Sequence, residues 1–181
     1  MTFFSKLGSA FRRPHDRAGF ALYAAAVAAA RDPWFYTELA VPDTLDGRFD
    51  MVGVHVALLI HRLQPLPEPG PALAQAVFDG MFSDMDLNLR EIGVGDLSVG
   101  KRVRAMWEAF HGRALAYGAA LDAGDAAALA AALARNVWRG AVMAGHAERL
   151  ASFVQRQNAA LATQPLEAFA AGHVAFLAPL Q

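Results

Sequence analysis

The sequence predicts an all-α fold built as a single domain. Three observations carry that expectation. Apolar residues recur at helical spacing over most of the chain, no segment alternates as a strand would, and the stripes are separated by paired start and stop signals. A length of 181 residues suits one domain with a sizeable core, and the stripes amount to about seven or eight helices.

Asp16 is placed to cap a first helix through Ala30, with Phe20, Tyr23, Ala24 and Val27 on one face. Asp32-Pro33 is a cap followed by proline at the first helical position, and it opens a short aromatic helix with Trp34, Phe35 and Leu39. Pro42 ends that helix and Asp43 or Thr44 starts the next. There Leu45, Phe49, Val52, Val56, Leu59, Ile60 and Leu63 form a stripe. Gln64 to Pro71 carries four prolines and reads as an irregular connector.

Beyond it, Val77, Phe78, Met81, Phe82, Met85, Leu89 and Ile92 make a second stripe that Gly93 stops. A third holds Val99, Val103, Met106, Trp107, Phe110, Ala114, Tyr117 and Leu121, with Asp96 and Ser98 as its candidate caps. Asp125 caps an alanine-rich helix with Leu129, Leu133 and Val137. Two more helices hold Leu150, Phe153, Val154 and Leu161, then Leu166, Phe169 and Phe176, the last starting at Pro165.

Composition narrows the function. Hydrophobic residues make up 55% and charged residues 18%, with a net charge of −1 that gives no global attraction to nucleic acid or anionic lipid. The absence of cysteine excludes disulfides, thiolate metal sites and a cysteine nucleophile, and fits a reducing cytosol. The longest uncharged apolar run, Ala18 to Ala30, is 13 residues, against roughly 20 for a membrane span. Residues 1–14 form a separate arm, in which Phe3, Phe4, Leu7 and Phe11 alternate with Lys6, Arg12 and Arg13. That pattern suits either a short amphipathic helix that lies on a membrane or inserts its phenylalanines into a partner, or a tail that is disordered or folded back on the domain of residues 15–181.

The chemical signals concentrate between Asp84 and Met106. Asp84-Met85-Asp86-Leu87-Asn88 opens like a calcium loop, but Leu89 and Gly95 stand where the turn glycine and the bidentate glutamate belong. Gly95 to Arg102 misses a phosphate-binding loop by its last residue, Arg102 replacing the magnesium-binding hydroxyl, and it follows a helix instead of a strand. The six histidines, His15, His55, His61, His111, His146 and His173, show no chelating spacing and are expected at the surface or its boundary. No serine lies in a nucleophile elbow. The expectation is therefore no catalytic residue, no metal and no cofactor.

Charge is more informative than motif here. Residues 79–96 carry Asp79, Asp84, Asp86, Glu91 and Asp96 against Arg90, whereas residues 101–113 carry Lys101, Arg102, Arg104 and Arg113 against Glu108. An acidic helix feeds through a glycine loop into a basic one. Packed antiparallel, the two pair with each other across a solvated face or offer a polar docking surface to a protein partner. The candidate docking residues are Asp84, Asp86, Arg90, Lys101, Arg102 and Arg104. A helical enzyme using Asp84, Asp86, Arg90 and His111, or a membrane-surface adaptor working through the first helix, are the competing readings.

Three stretches, LDGRFDMVGVHVALLIHRL (45–63), AQAVFDGMFSDMDLNLREIGVGDLSVGKRVRAMWEAFHGRALAY (74–117) and LARNVW (133–138), resemble the ubiquinol–cytochrome c chaperone family, most strongly over residues 40–145. The resemblance implies an assembly factor that binds nascent or newly inserted cytochrome b and assists biogenesis of the respiratory cytochrome bc complex. It places the chain at the cytoplasmic face of the bacterial inner membrane, near the ribosomal exit, with no sequence-specific contact to nucleic acid. It transfers no catalytic residue.

Overall fold

A computed structural model describes residues 15–91 and 93–180. The described residues form eight helices and no strand: α1 (Asp16–Ala30), α2 (Pro33–Thr37), α3 (Leu45–Leu63), α4 (Gly70–Glu91), α5 (Asp96–Asp122), α6 (Ala126–Val137), α7 (His146–Ala162) and α8 (Leu166–Ala170). None of them is long and apolar enough to cross a membrane. The arm with Phe3, Phe4, Leu7 and Phe11 lies outside the described residues.

The helix starts follow the chemistry of their caps. The Asp32 carboxylate accepts from the Trp34 N–H with Pro33 in the first turn, the Thr44 hydroxyl accepts from the Gly47 N–H, and Asp125 accepts from the Ala128 N–H. α4 stops where Gly93 takes φ +84°, its N–H reaching the Arg90 carbonyl while the Val94 N–H reaches that of Leu89. Two expected caps are corrected. Gly95 stands in the cap position of α5, leaving Ser98 inside the first turn, and His15 rather than Asp16 precedes α1.

α3 is the hub, packed against α1, α4, α5, α6 and α7. Ten of its 19 residues are buried, on all sides and not in one stripe. That corrects the amphipathic reading, because a helix enclosed by five others needs apolar residues all round. Leu45, expected at the start of the stripe, is 66% exposed. α1 and α4 run parallel in close contact. A Cβ on Gly19 would come within 2.4 Å of the Ala76 Cβ, so only glycine lets these two backbones approach so closely.

α4 and α5 form an antiparallel hairpin whose base is an aromatic cluster. Phe78 and Phe82 lie 4.6 Å apart by ring centroid, and the Phe110 ring packs on both. Trp107 departs from its expected core position: it is 43% exposed and stacks flat on His111, at 5.5 Å and 2°. The last helix is shorter than its periodicity suggested. α8 ends at Ala170 and residues 173–180 are not helical. The side chains of Gln157 in α7 and of Gln164 just beyond it hydrogen-bond the backbone of Leu177 and Ala175, and Phe176 is half-buried against the core.

Candidate functional site

The C-terminal half of α4 contributes to a cavity of about 320 Å³ bounded by α1, α2, the start of α3 and Met106 of α5. Its walls are apolar, with Val27 and Ala30 from α1, Phe49 and Val52 from α3, and Met85 and Leu89 from α4. Its rim is polar, with Arg31, Arg48, Asp84 and Asn88, and Leu45 also lines it. A small set of polar groups around an apolar hollow is the usual construction of a binding pocket.

Two of the rim groups, Asp84 and Arg48, are held by neighbouring side chains. The Tyr23 hydroxyl donates to Asp84 Oδ2 at 2.7 Å, tying α1 to α4. Burial pushes the Tyr23 phenol well above its ordinary pKa, and the carboxylate of Asp84 pushes it the same way. Tyr36 donates to the Ala30 carbonyl at 2.9 Å and is likewise raised by burial. The Arg48 guanidinium lies 5.9 Å from the Tyr36 ring centroid and pairs with Asp43 at 2.5 Å. That hydrogen bond lowers the Asp43 carboxyl below its usual range.

The six candidate docking residues divide into three groups. Asp84 faces the cavity. Asp86 and Arg90 pair along α4 at 2.7 Å, one turn apart in the favourable acid-first order. Lys101, Arg102 and Arg104 are exposed on α5, with Arg104 reaching Glu108 at 3.1 Å along the same helix. Residues 84–88 are helical throughout, which rules out a calcium-loop backbone there, and α4 takes the place of the strand a phosphate-binding loop requires. The proposed enzyme constellation is not assembled as a unit. Asp84 is engaged by Tyr23, whereas His111 is exposed and stacked on Trp107. No cluster of three or more histidine and carboxylate side chains suited to a metal occurs among the described residues.

Two groups escaped the sequence reading. Asp50 is 3% exposed and receives hydrogen bonds from Arg113 of α5 and from Arg139 after α6, the latter at 2.6 Å. Burial raises the Asp50 carboxyl above its ordinary range, and the two guanidiniums oppose that rise. Arg139 adopts φ +54° to make this contact, and also donates to the carbonyl of Asn136 at 3.1 Å. His55, expected near the surface, is fully buried. Its Nδ1 lies 2.9 Å from the Met51 carbonyl, its Nε2 has no hydrogen-bond partner, and burial lowers its pKa to about 4. A neutral imidazole that donates from Nδ1 is the form this site accepts. The rings of Phe35, Phe153 and Phe176 surround it at 5.7, 6.0 and 5.3 Å.

Comparison with known proteins places these features in a family. Residues 37–176 match the ubiquinol–cytochrome C chaperone family, a stretch running from the end of α2 through Phe176. The crystal structure of the Cbp3 homolog from Brucella abortus is similar at a TM-score of 0.82, with 39% sequence identity and 97% of each chain covered. Ubiquinol-cytochrome-c reductase complex assembly factor 1 of Xenopus laevis is 25% identical over 103 residues, which make up 57% of this chain. The chain spans about half of that relative, 51% of its length. The all-helical fold and the match over most of the chain agree: the chain belongs to the ubiquinol–cytochrome c chaperone family.

Proposed function

We propose that this chain is a non-enzymatic assembly factor that holds newly made cytochrome b at the cytoplasmic face of the bacterial inner membrane during assembly of the cytochrome bc complex. The observation that carries the reading is the cavity beneath the α4–α5 hairpin, whose apolar walls and polar rim suit an apolar segment with polar ends. Met85 and Met106 line it, and methionine adapts to varied apolar shapes. Asp84, Asp86 and Arg90 on one helix and Lys101, Arg102 and Arg104 on the next extend the surface with both signs of charge, which orients a partner more than it tightens binding. Family membership and the assembly-factor name of the Xenopus relative support the role. Residues 1–14, with Phe3, Phe4, Leu7 and Phe11 among basic side chains, suit peripheral contact with the membrane.

Photo-crosslinking residues placed at Leu45 and at Lys101 test the site in native membranes. Cytochrome b is the expected main product. Capture only of ribosomal proteins, or of unrelated membrane proteins, would overturn the client assignment. A triple charge reversal, Lys101→Glu, Arg102→Glu and Arg104→Glu, should lower cytochrome bc complex levels while helicity and melting temperature hold. Loss of the fold instead would make these residues structural.

A further inference from the structure

The cavity under the α4–α5 hairpin has an interior and a mouth of different character. Inside, Val27, Phe49, Val52, Met85, Leu89 and Met106 line it without a polar side chain among them. Val27, Phe49, Val52 and Met106 are only half-buried, and no described residue fills the hollow between them. All six belong to helices, whose main chains pair internally. At about 320 Å³ the space is at the small end of ligand pockets.

The mouth carries two guanidiniums that converge on one phenol. Burial raises the pKa of Tyr36, and the charges of Arg48 and Arg31 both oppose that rise. The nearby acids are engaged already. Asp43 is held by Arg48 at 2.5 Å, and Asp84 receives the Tyr23 hydroxyl at 2.7 Å. Arg31 is different. It is exposed, and among the described residues no hydrogen bond or ion pair engages its side chain. Its whole fork of N–H donors is therefore free at the edge of an apolar hollow.

Such an interior rejects a polypeptide main chain, because peptide N–H and C=O groups entering it would find no partner. An unbranched alkyl chain needs none. The mouth calls for a negatively charged acceptor, and a carboxylate matches a guanidinium fork with two parallel bonds. We propose that the cavity binds a long-chain carboxylate, with the alkyl chain against Met85 and Met106 and the head group on Arg31 beside Arg48. This rests on the cavity's role as an apolar pocket, proposed above, and not on the identity of the client. A bound fatty acid would have to leave before a client side chain entered, so the two compete for one site.

The test uses the full-length chain with isotope-labelled methionine methyl groups, titrated with sodium decanoate and followed by NMR. The methionines report place as well as binding. Met85 and Met106 should shift and saturate together. Met143, in the groove between α6 and α7, and Met51, in the core, should not move. Decyltrimethylammonium, with an alkyl chain of the same length and the opposite charge, should bind about ten-fold more weakly. Arg31→Gln should weaken decanoate by a similar factor and leave decanol unaffected. The two titrations of the unmodified chain need no variant, so the outcome does not depend on how Arg31→Gln folds. Shifts confined to Met143, movement of every methionine signal together, or equal affinity for the two charged amphiphiles would each overturn the proposal. So would an unchanged decanoate affinity in folded Arg31→Gln. No client is present in these titrations, so their failure leaves the crosslinking of cytochrome b from Leu45 untouched, and the reverse holds.

Discussion

α3 and the outer half of α5 are both helices rich in charge and apolar residues, yet they stand at opposite ends of the molecule's range of burial. The two buried polar side chains of α3 are enclosed: Asp50 by two guanidiniums, and His55 by a carbonyl and three aromatic rings, with its Nε2 left without a hydrogen-bond partner. On α5, only Val99, Phe110, Tyr117 and Ala120 are buried among its described side chains, and Lys101, Arg102 and Arg104 stand in solvent. The contrast separates charge that fixes the fold from charge that remains available for recognition. A buried charge must be partnered, whereas an exposed one contributes little to stability and can be spent on encounter with a partner.

The largest expected effect breaks that contrast at its buried end. Asp50→Ala leaves two arginines without their carboxylate and should cost about 3 kcal/mol in urea unfolding, the low end for buried pairs because Arg139 reaches solvent. Asp86→Ala, which breaks the exposed pair on α4, should cost only about 0.5 kcal/mol. Similar losses for the two would remove the distinction drawn here.

A pH titration probes the same core through His55. Its folded pKa, about 4, lies below the ordinary value of 6.5, so the core favours the neutral ring. That contribution is complete above about pH 6.5 and is lost as the pH falls toward 4, by about 3 kcal/mol in all. Urea midpoints taken between pH 7 and pH 4 should therefore fall less steeply for His55→Phe than for the unmodified chain. Parallel profiles would show that His55 is not the group responsible.

A smaller effect than either buried group gives concerns the cavity rim. Tyr23→Phe removes the hydrogen bond to Asp84 and should cost about 1 kcal/mol. In the Asp84→Ala background the same change should cost distinctly less, as a double-mutant cycle would read. Full additivity would mean that the two groups do not act on each other.

Much of this was legible in the sequence, and the exceptions share a cause. Helix boundaries at Asp32-Pro33, Thr44, Gly93 and Asp125 are written in local chemistry, since a cap or a positive-φ glycine acts on its own few residues. The exposure of Lys101 and Arg104 could also be read, because it follows from helical phase. The misses depend on what lies opposite. Periodicity could not reveal that α3 is enclosed on every side, nor that Asp50 and His55 are buried in it. Phe176 continued the apparent period of α8, yet Gln157 on α7 and Gln164 just beyond it hold its neighbours Leu177 and Ala175 outside any helix. Phe49 and Val52 read as core, and only the approach of α1, α2 and α4 shows them walling a cavity.

The Asp50 clasp also bears on time. Its partners lie 63 and 89 positions away along the chain, whereas Asp86 and Arg90 are neighbours on one turn. The local pair can form as soon as a helix does. The clasp closes only once α3, α5 and the turn after α6 have met, and contacts of such separation form late on the folding route. Interactions absent from the transition state slow escape from the native state and leave entry to it almost unchanged. Stopped-flow unfolding of Asp50→Ala should accordingly be faster, with the refolding arm little altered. On this reading the clasp acts as a latch, setting how long a finished bundle keeps its shape.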